Sequence, residues 1–279
     1  MDSFYSTCHD AIDYTIKNKT FGLYYSNVSK QNLSIHMHDC CEIFFSLSDA
    51  QNFLIDDKIY SVNSNDLFII NQFESHKICI GNRDKFYRYS LHIHPDFINS
   101  KSSLDFDFNK LFHSDNKVDK IHLSYGEAEK LKKLFESLTI QYDLGDETFK
   151  VIRVIEILLE IAKLCVTHNE TQVTSHQNEV LVQAIDYINK NFTQPITLND
   201  VAKNSFVSVN YLCSIFKSHL STTVNKYITS KRLAHAKKLL SEGKSVTETA
   251  FESGFNDYAN FIRVFKNNIG VPPGKYLKQ

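Results

Sequence analysis

Three histidines and a glutamate stand close together in the first third of the chain, as His36-x-His38-x-x-x-Glu42 and then His76. Three imidazoles and a carboxylate can hold Fe, Mn, Ni or Zn. The same groups can hydrogen-bond a polar ligand, or simply pack. Two-residue spacing puts His36 and His38 on one face of a strand. Imidazoles beside a carboxylate would make ligand binding sensitive to pH near neutrality. Cys40 and Cys41 adjoin the pattern, but no cationic neighbour suggests a lowered thiol pKa, so they read as packing residues.

A second chemistry is written twice near the C-terminus. LNDVAKNSFVSVNYLCSIFK (Leu198 to Lys217) is followed by VTETAFESGFNDYANFIRVFK (Val246 to Lys266). Val201-Ala202 and Thr249-Ala250 correspond, as do Phe216-Lys217 and Phe265-Lys266. Phe206 reads as the partner of Phe255, with the extra residue of the longer copy at Gly254. Each copy is a short apolar-periodic segment, a turn and a second such segment, the form of a helix-turn-helix. Thr197-x-x-Asp200 and Ser245-x-x-Glu248 are capping boxes for the first helices. Ser208 and Asp257 suit the N-caps of the second. Gly254 supplies the positive φ that a sharp turn needs. Leu212, Ile215 and Phe216, and then Phe261, Val264 and Phe265, should face inward.

Charge separates the chain at the same place. Residues 177–279 carry 13 Lys+Arg against 7 Asp+Glu, a net of +6; residues 1–176 carry 18 against 25, a net of −7. A basic C-terminal segment that coincides with a helix-turn-helix repeat fits phosphate contacts.

The elements that must position these residues follow from periodicity. From Phe21 to His94 the chain reads as short strands: Phe21–Tyr25, Ser34–Met37, Glu42–Leu47, Asn52–Ile55, Lys58–Val62, Leu67–Asn71, Lys77–Ile80 and Phe86–Ile93. Many short strands predict a small β-barrel or jelly roll. Helical periodicity then covers Ser124–Tyr142 and Asp146–His168 as an antiparallel hairpin broken at Gly145. Polar residues 169–177 suit a linker. Helices follow at Glu179–Asn191, in the two units, and in a connector from about Val224 to Glu242. Tyr227, Ile228, Leu233, Ala234, Ala236 and Leu240 of the connector should pack against both units. No apolar run is long enough to span a membrane, and MDSFYSTCHDAIDY has no signal-peptide form. Six cysteines without CxxC pairs suit a reducing cytoplasm.

Residues 178–279 closely resemble the AraC/XylS family of bacterial transcription regulators. YLCSIFK (Tyr211–Lys217), YITSKRLAHAKKLL (Tyr227–Leu240) and AFESGFNDYANFIRVFKNNIGVPPGKY (Ala250–Tyr276) carry the resemblance. It implies two helix-turn-helix units, 198–217 and 246–266, joined by a long helix and set in successive major grooves. The family's DNA-reading places fall on Val209, Asn210, Cys213 and Ser214, and on Tyr258, Ala259, Ile262 and Arg263. Asn210 suits adenine and Arg263 guanine; Cys213, Ser214, Ala259 and Ile262 offer little beyond a thymine-methyl contact. Lys217 and Lys266, at helix ends, suit phosphates.

Residues 20–100 look like the cupin-type sensor of this family, with Asn65-Asp66-Leu67 where Gly-Asp is usual and His76 as the remnant of the second motif. The expectation is thus an α+β two-domain protein. Residues 1–170 form a cupin-like β-barrel with a helical hairpin, for effector binding and dimerisation; 171–177 link it to an all-α DNA-binding domain, 178–279. The effector site is expected at His36, His38, Glu42 and His76, with no bound metal, no cofactor and no catalytic residue. Double-stranded DNA, RNA polymerase, a small-molecule effector and a second copy are the partners implied for a cytoplasmic activator. The homodimer is expected through Leu131, Leu138, Ile155 and Leu158 of the hairpin. The rival reading is a cupin metalloprotein or enzyme with an accessory DNA-binding domain.

Overall fold

A computed structural model describes residues 5, 7–27, 35–56, 58–81, 85–103, 105–113, 117–168 and 178–276. The expected linker, 171–177, lies outside these residues. Eight strands form the first half: β1 Phe21–Ser26, β2 Cys41–Ser46, β3 Ala50–Ile55, β4 Lys58–Val62, β5 Asp66–Ile70, β6 His76–Cys79, β7 Arg88–Ile93 and β8 Lys120–His122. They pair antiparallel as a five-stranded sheet, β1-β7-β2-β5-β8, and a three-stranded sheet, β4-β3-β6.

Strands β2 and β5 are buried along their whole length, so no polar alternation marks them. Both faces are covered, and the period of two sorts their side chains between two cores. Phe44, Phe68 and Ile70 meet Phe53, Ile55 and Tyr60 of the smaller sheet. Ile43, Phe45, Leu67 and Ile69 face the other way, onto helices. Those helices are the expected hairpin, α4 Tyr125–Ser137 and α5 Asp146–Thr167. The first is shorter than periodicity implied. Leu131, Leu138 and Leu158 of the expected dimer face are buried in the core of their own subunit, and Ile155 packs against that core. They are not available to a partner as they stand.

Three helices and a strand were not legible beforehand: α1 Cys8–Asn18, α2 Pro95–Lys101, α3 Lys110–His113 and β8. A start signal for α1 was present, since Thr7 and Asp10 form a complete capping box. Helix α1 lies against β1, where a Cβ on Gly22 would come 2.7 Å from the carbonyl oxygen of Ala11. The expected strand at Ser34–Met37 is absent at its described residues, where His36 makes an isolated bridge to His76; Ser34 lies outside the described residues.

The second half is helical: α6 Glu179–Asn191, α7 Leu198–Asn204, α8 Val209–Leu220, α9 Val224–Ser241, α10 Val246–Glu252, α11 Tyr258–Ile269 and α12 Pro273–Tyr276. Thr197 and Ser245 form the expected capping boxes, and Ser208 and Asp257 accept from Tyr211 N–H and Asn260 N–H. Connector α9 gives Val224, Tyr227 and Ile228 to one core with α6, α7 and α8, and Leu233, Ala236 and Leu240 to another with α10 and α11. Among the described residues no helix is long and apolar enough to cross a membrane.

The two turns correct the repeat alignment. Phe206 has φ +57° and Gly254 φ +88°. Val207 N–H donates to the Ala202 carbonyl as Phe255 N–H donates to that of Ala250. Phe206 therefore corresponds to Gly254, Val207 to Phe255, and the extra residue of the second copy is Asn256. Phe206 is 88% exposed, whereas a Cβ on Gly254 would meet the Phe192 carbonyl oxygen at 2.7 Å. Gly254→Ala should destabilise the protein by about 1–3 kcal/mol, from left-handed strain and overpacking. Phe206→Gly should stay within about 0.5 kcal/mol of wild type, because relief of strain offsets glycine's added chain entropy. Urea unfolding of the two variants checks the contrast.

Candidate functional site

Helices α8 and α11 each bury one stripe and show another. Leu212, Ile215, Phe216 and Leu220 are inside, as are Phe261 and Phe265. Asn210, Ser214 and Lys217 are exposed on α8; Ala259, Arg263 and Lys266 are exposed at the same spacing on α11. Val209, Cys213 and Ile262 are half-buried and Tyr258 is exposed. The sequence reading missed Tyr211, exposed on α8, and Asn260, whose Oδ1 accepts from the Arg263 guanidinium at 2.8 Å. The i,i+3 spacing of Asn260 and Arg263 was the available signal. That bond aims a flexible side chain along the helix surface.

Both units are held by the β-sheets. At the end of α8, Asn52 Nδ2 donates to the His219 carbonyl at 3.0 Å, and Gln51 Nε2 to that of Ser218 at 3.4 Å. Lys77 Nζ donates to the Ser221 carbonyl at 2.8 Å. Burial pushes the pKa of Lys77 down, yet its charge lies at the negative end of a helix, where a cation belongs. On α9, Tyr227 Oη donates to the Asp56 carbonyl at 2.8 Å and Lys231 pairs with the Asp56 carboxylate at 2.9 Å. Farther along, Lys237 pairs with Asp39, and Tyr276 Oη donates to the other Asp39 oxygen at 2.6 Å. The Lys237 ammonium also lies over the rings of Phe73 and Tyr276. Burial, then Asp39, push the Tyr276 phenol up, so it stays a donor.

Asp39 follows His38, and His38 belongs to the cluster that the spacing singled out. Glu42 on β2, His76 on β6 and the loop residue His38 come together, and His92 on β7 joins them across the β2–β7 register. Glu42 Oε2 lies 3.1 Å from His38 Nε2, 3.2 Å from His76 Nε2 and 3.7 Å from His92 Nε2. The four side chains are at most 3% exposed. Burial alone would raise the Glu42 pKa; His92, His38 and His76 outweigh it and hold the carboxyl well below its usual range. Burial lowers His38, and lowers His92 to about 3. His36 stands at the edge, half-buried, its ring 4.3 Å from that of His76. His92 was missed in the sequence. Its signal was that Arg88, Ser90 and His92, two apart, are buried polar residues on one face of β7. The Cys40 thiol is pushed up by burial, and Cys41 to about 12, as packing residues require.

A family model described as a helix-turn-helix domain matches residues 201–279. The melibiose operon regulatory protein of Escherichia coli (strain K12) is 33% identical over 113 residues, covering 40% of this chain and 37% of that protein. The chain thus spans well under half the length of this relative. An uncharacterized HTH-type transcriptional regulator, YdeC of Bacillus subtilis (strain 168), is 23% identical over 274 residues, 91% of this chain and 90% of that protein. The crystal structure of the apo K231A variant of ToxT from Vibrio cholerae strain SCE256 aligns over 93% of this chain and 97% of that one, with 16% identity and a TM-score of 0.38. Residues 201–279 therefore make this a helix-turn-helix protein, DNA-binding by class. Among such proteins, residues 201–279 are similar to the corresponding part of AraC-type transcription regulators.

Asp39→Ala should cost about 3 kcal/mol, because it leaves the Lys237 charge buried without its anion. Adding Lys237→Met should recover most of that loss, since an apolar side chain suits the slot between Phe73 and Tyr276. Urea unfolding of the single and double variants measures both steps.

Proposed function

We propose that the chain is a sequence-specific transcription activator. Residues 178–279 read two successive major grooves through units 198–217 and 246–266. Residues 1–170 form a cupin-like sensor and dimerisation domain, joined through 171–177. The observation that carries this reading is the matched pair of exposed stripes, Asn210/Ser214/Lys217 and Ala259/Arg263/Lys266, on equivalent helices braced by α9. Asn210 and Arg263 supply base-edge chemistry, with Val209, Cys213, Tyr258 and Ile262 beside them. Lys217 and Lys266 supply phosphate contacts. The first unit has no long cation at its central reading places, so its readout leans on shape. As an activator it would engage RNA polymerase, and its place would be the cytoplasm.

The sensor reading is supported by connectivity. His36, His38, Glu42 and His76 form the proposed effector-responsive site, and the same short loop ends at Asp39 on Lys237 and Tyr276. An effector acts only by binding the DNA-competent and incompetent arrangements with different affinity. A metalloenzyme with a DNA-binding accessory would need an open coordination position for substrate. Side chains at most 3% exposed do not offer one.

Binding of the full chain to its operator should weaken steeply with salt, because phosphate contacts release counterions. Arg263→Ala should cost about 1–3 kcal/mol and relax the preference at one base pair, while Lys217→Ala weakens all sequences alike. Selection from random duplexes followed by salt titration checks this. An unchanged base preference in Arg263→Ala removes Arg263 from the base readers.

For the homodimer, the outer face of α5 replaces the residues found in the core. Ile152, Leu159 and Val166 recur every seven residues and are 45%, 38% and 74% exposed. A heptad of exposed aliphatics is the seam of a helix pair. Leu159→Glu should weaken dimerisation at least tenfold, about 1.4 kcal/mol, without unfolding the hairpin. Sedimentation alongside circular dichroism measures both. A wild-type chain that is monomeric at micromolar concentration would remove the proposal.

A further inference from the structure

The helices α8 and α11 differ in what they leave free. On α11 the N-cap Asp257 accepts from the Asn260 N–H, which fixes the first turn. Farther along the same face, Asn260 Oδ1 accepts from Arg263 Nη2 at 2.8 Å. A guanidinium has five donors and no acceptor, so only the amide oxygen can face it. The Asn260 amide is thereby oriented, its oxygen engaged by Arg263 and its NH2 group turned away. By the matching turns and N-caps, the equivalent places on α8 are Ser208, Tyr211 and Ser214. Tyr211 and Ser214 carry neither an amide nor a cation. Asn210, exposed on α8, makes no side-chain hydrogen bond to another described residue.

A free asparagine reads adenine by two bonds, its oxygen accepting from N6 and its amide nitrogen donating to N7. Asn260 has its oxygen already committed, so the first of these is lost. What Asn260 and Arg263 present together is a row of N–H donors. Donors match bases that carry major-groove acceptors without a competing amino group: guanine, with O6 and N7, and thymine, with O4. The amino groups of adenine and cytosine meet a donor there and are disfavoured. We propose that Asn260 and Arg263 act as one donor-only reading unit. Arg263 reads guanine, and Asn260 restricts the adjacent base to guanine or thymine. Asn260 is the third residue of α11, and the N-terminal residues of a recognition helix are those that reach base edges. Asn210 keeps both its groups, so the two units use one residue type for different bases. The inference rests on the DNA-binding reading of the second unit and adds the class of base which that unit selects.

The test is selection from random duplexes by the full chain, as wild type and as Asn260→Asp, Asn260→Ala and Arg263→Ala. Phosphate contacts carry much of the affinity, so single variants stay selectable. The base pair of Arg263 is the one that Arg263→Ala relaxes. Beside it, wild type should take guanine or thymine, with adenine depleted about tenfold. Asn260→Asp keeps an acceptor for Arg263 and removes the NH2 group, so the adjacent preference should turn to cytosine, whose amino group donates to a carboxylate. Arg263→Ala releases the Asn260 oxygen, so the adjacent preference should turn to adenine. Asn260→Ala should relax both positions. Adenine beside the guanine in wild type overturns the proposal. So does an Arg263→Ala variant that relaxes its own base pair and leaves the adjacent one unchanged, an outcome that spares Arg263 as a base reader. If Arg263→Ala alters no position at all, the base-reading role of Arg263 falls together with the proposal.

Discussion

Lys237 carries its charge to a place almost closed to water, with its side chain 4% exposed. An ammonium there costs several kcal/mol unless an anion and polarisable groups meet it. Asp39 is the anion, and the faces of Phe73 and Tyr276 complete the shell. Lys237 comes from the helix that braces both helix-turn-helix units, Tyr276 from the last helix, and Asp39 and Phe73 from the strand-rich half. At the second unit, the docking of the two halves is therefore constrained by a charge that cannot be left alone. A purely apolar interface would hold them with less orientational control.

The geometry of the loop gives that contact its meaning. His38 faces into the sheets, and Asp39, the next residue, faces out to α9 and α12. A change that reorients His38 is thus applied directly to the anion that keeps Lys237 buried. No long relay of side chains is required between the histidine cluster and the second unit. The first unit is reached differently, through Asn52, Gln51 and Lys77 on the edge of the smaller sheet. His76 belongs to the same strand as Lys77, so one cluster adjoins both contacts.

The second half was far more legible in the sequence than the first. Capping boxes, N-caps and 3.6-residue periodicity are local, and α6 and α9 fell where they implied. The sheets depend on long-range pairing. β2 and β5 show no alternation because helices cover one face and a second sheet the other. His92 lies 50 residues from Glu42 along the chain and is placed only by the β2–β7 register. The turn alignment failed for an instructive reason. Phe206 stands where Gly254 stands in the other unit, and matching aromatic to aromatic paired it with Phe255. The hydrophobic face of α4 and α5 was recognised, but periodicity alone cannot tell a core stripe from an interface stripe. Only the placement of the sheet shows that Leu131 and Leu158 face inward while Ile152 and Leu159 face out.

Helix α8 does not complete its own C-terminus. Carbonyls that its last turn cannot satisfy within the helix are bonded by side chains from two strands more than a hundred residues earlier. The order of that turn is consequently a shared property of the helix and the sheet. Coupling of this kind is reciprocal, since any ligand that favours one arrangement of the shared element favours it for every other ligand. Were a duplex to lie along α8, it would act on the strand edge with the same free energy with which an occupant of the sheets would act on the duplex. Under the proposed function an operator would in that sense itself be an effector.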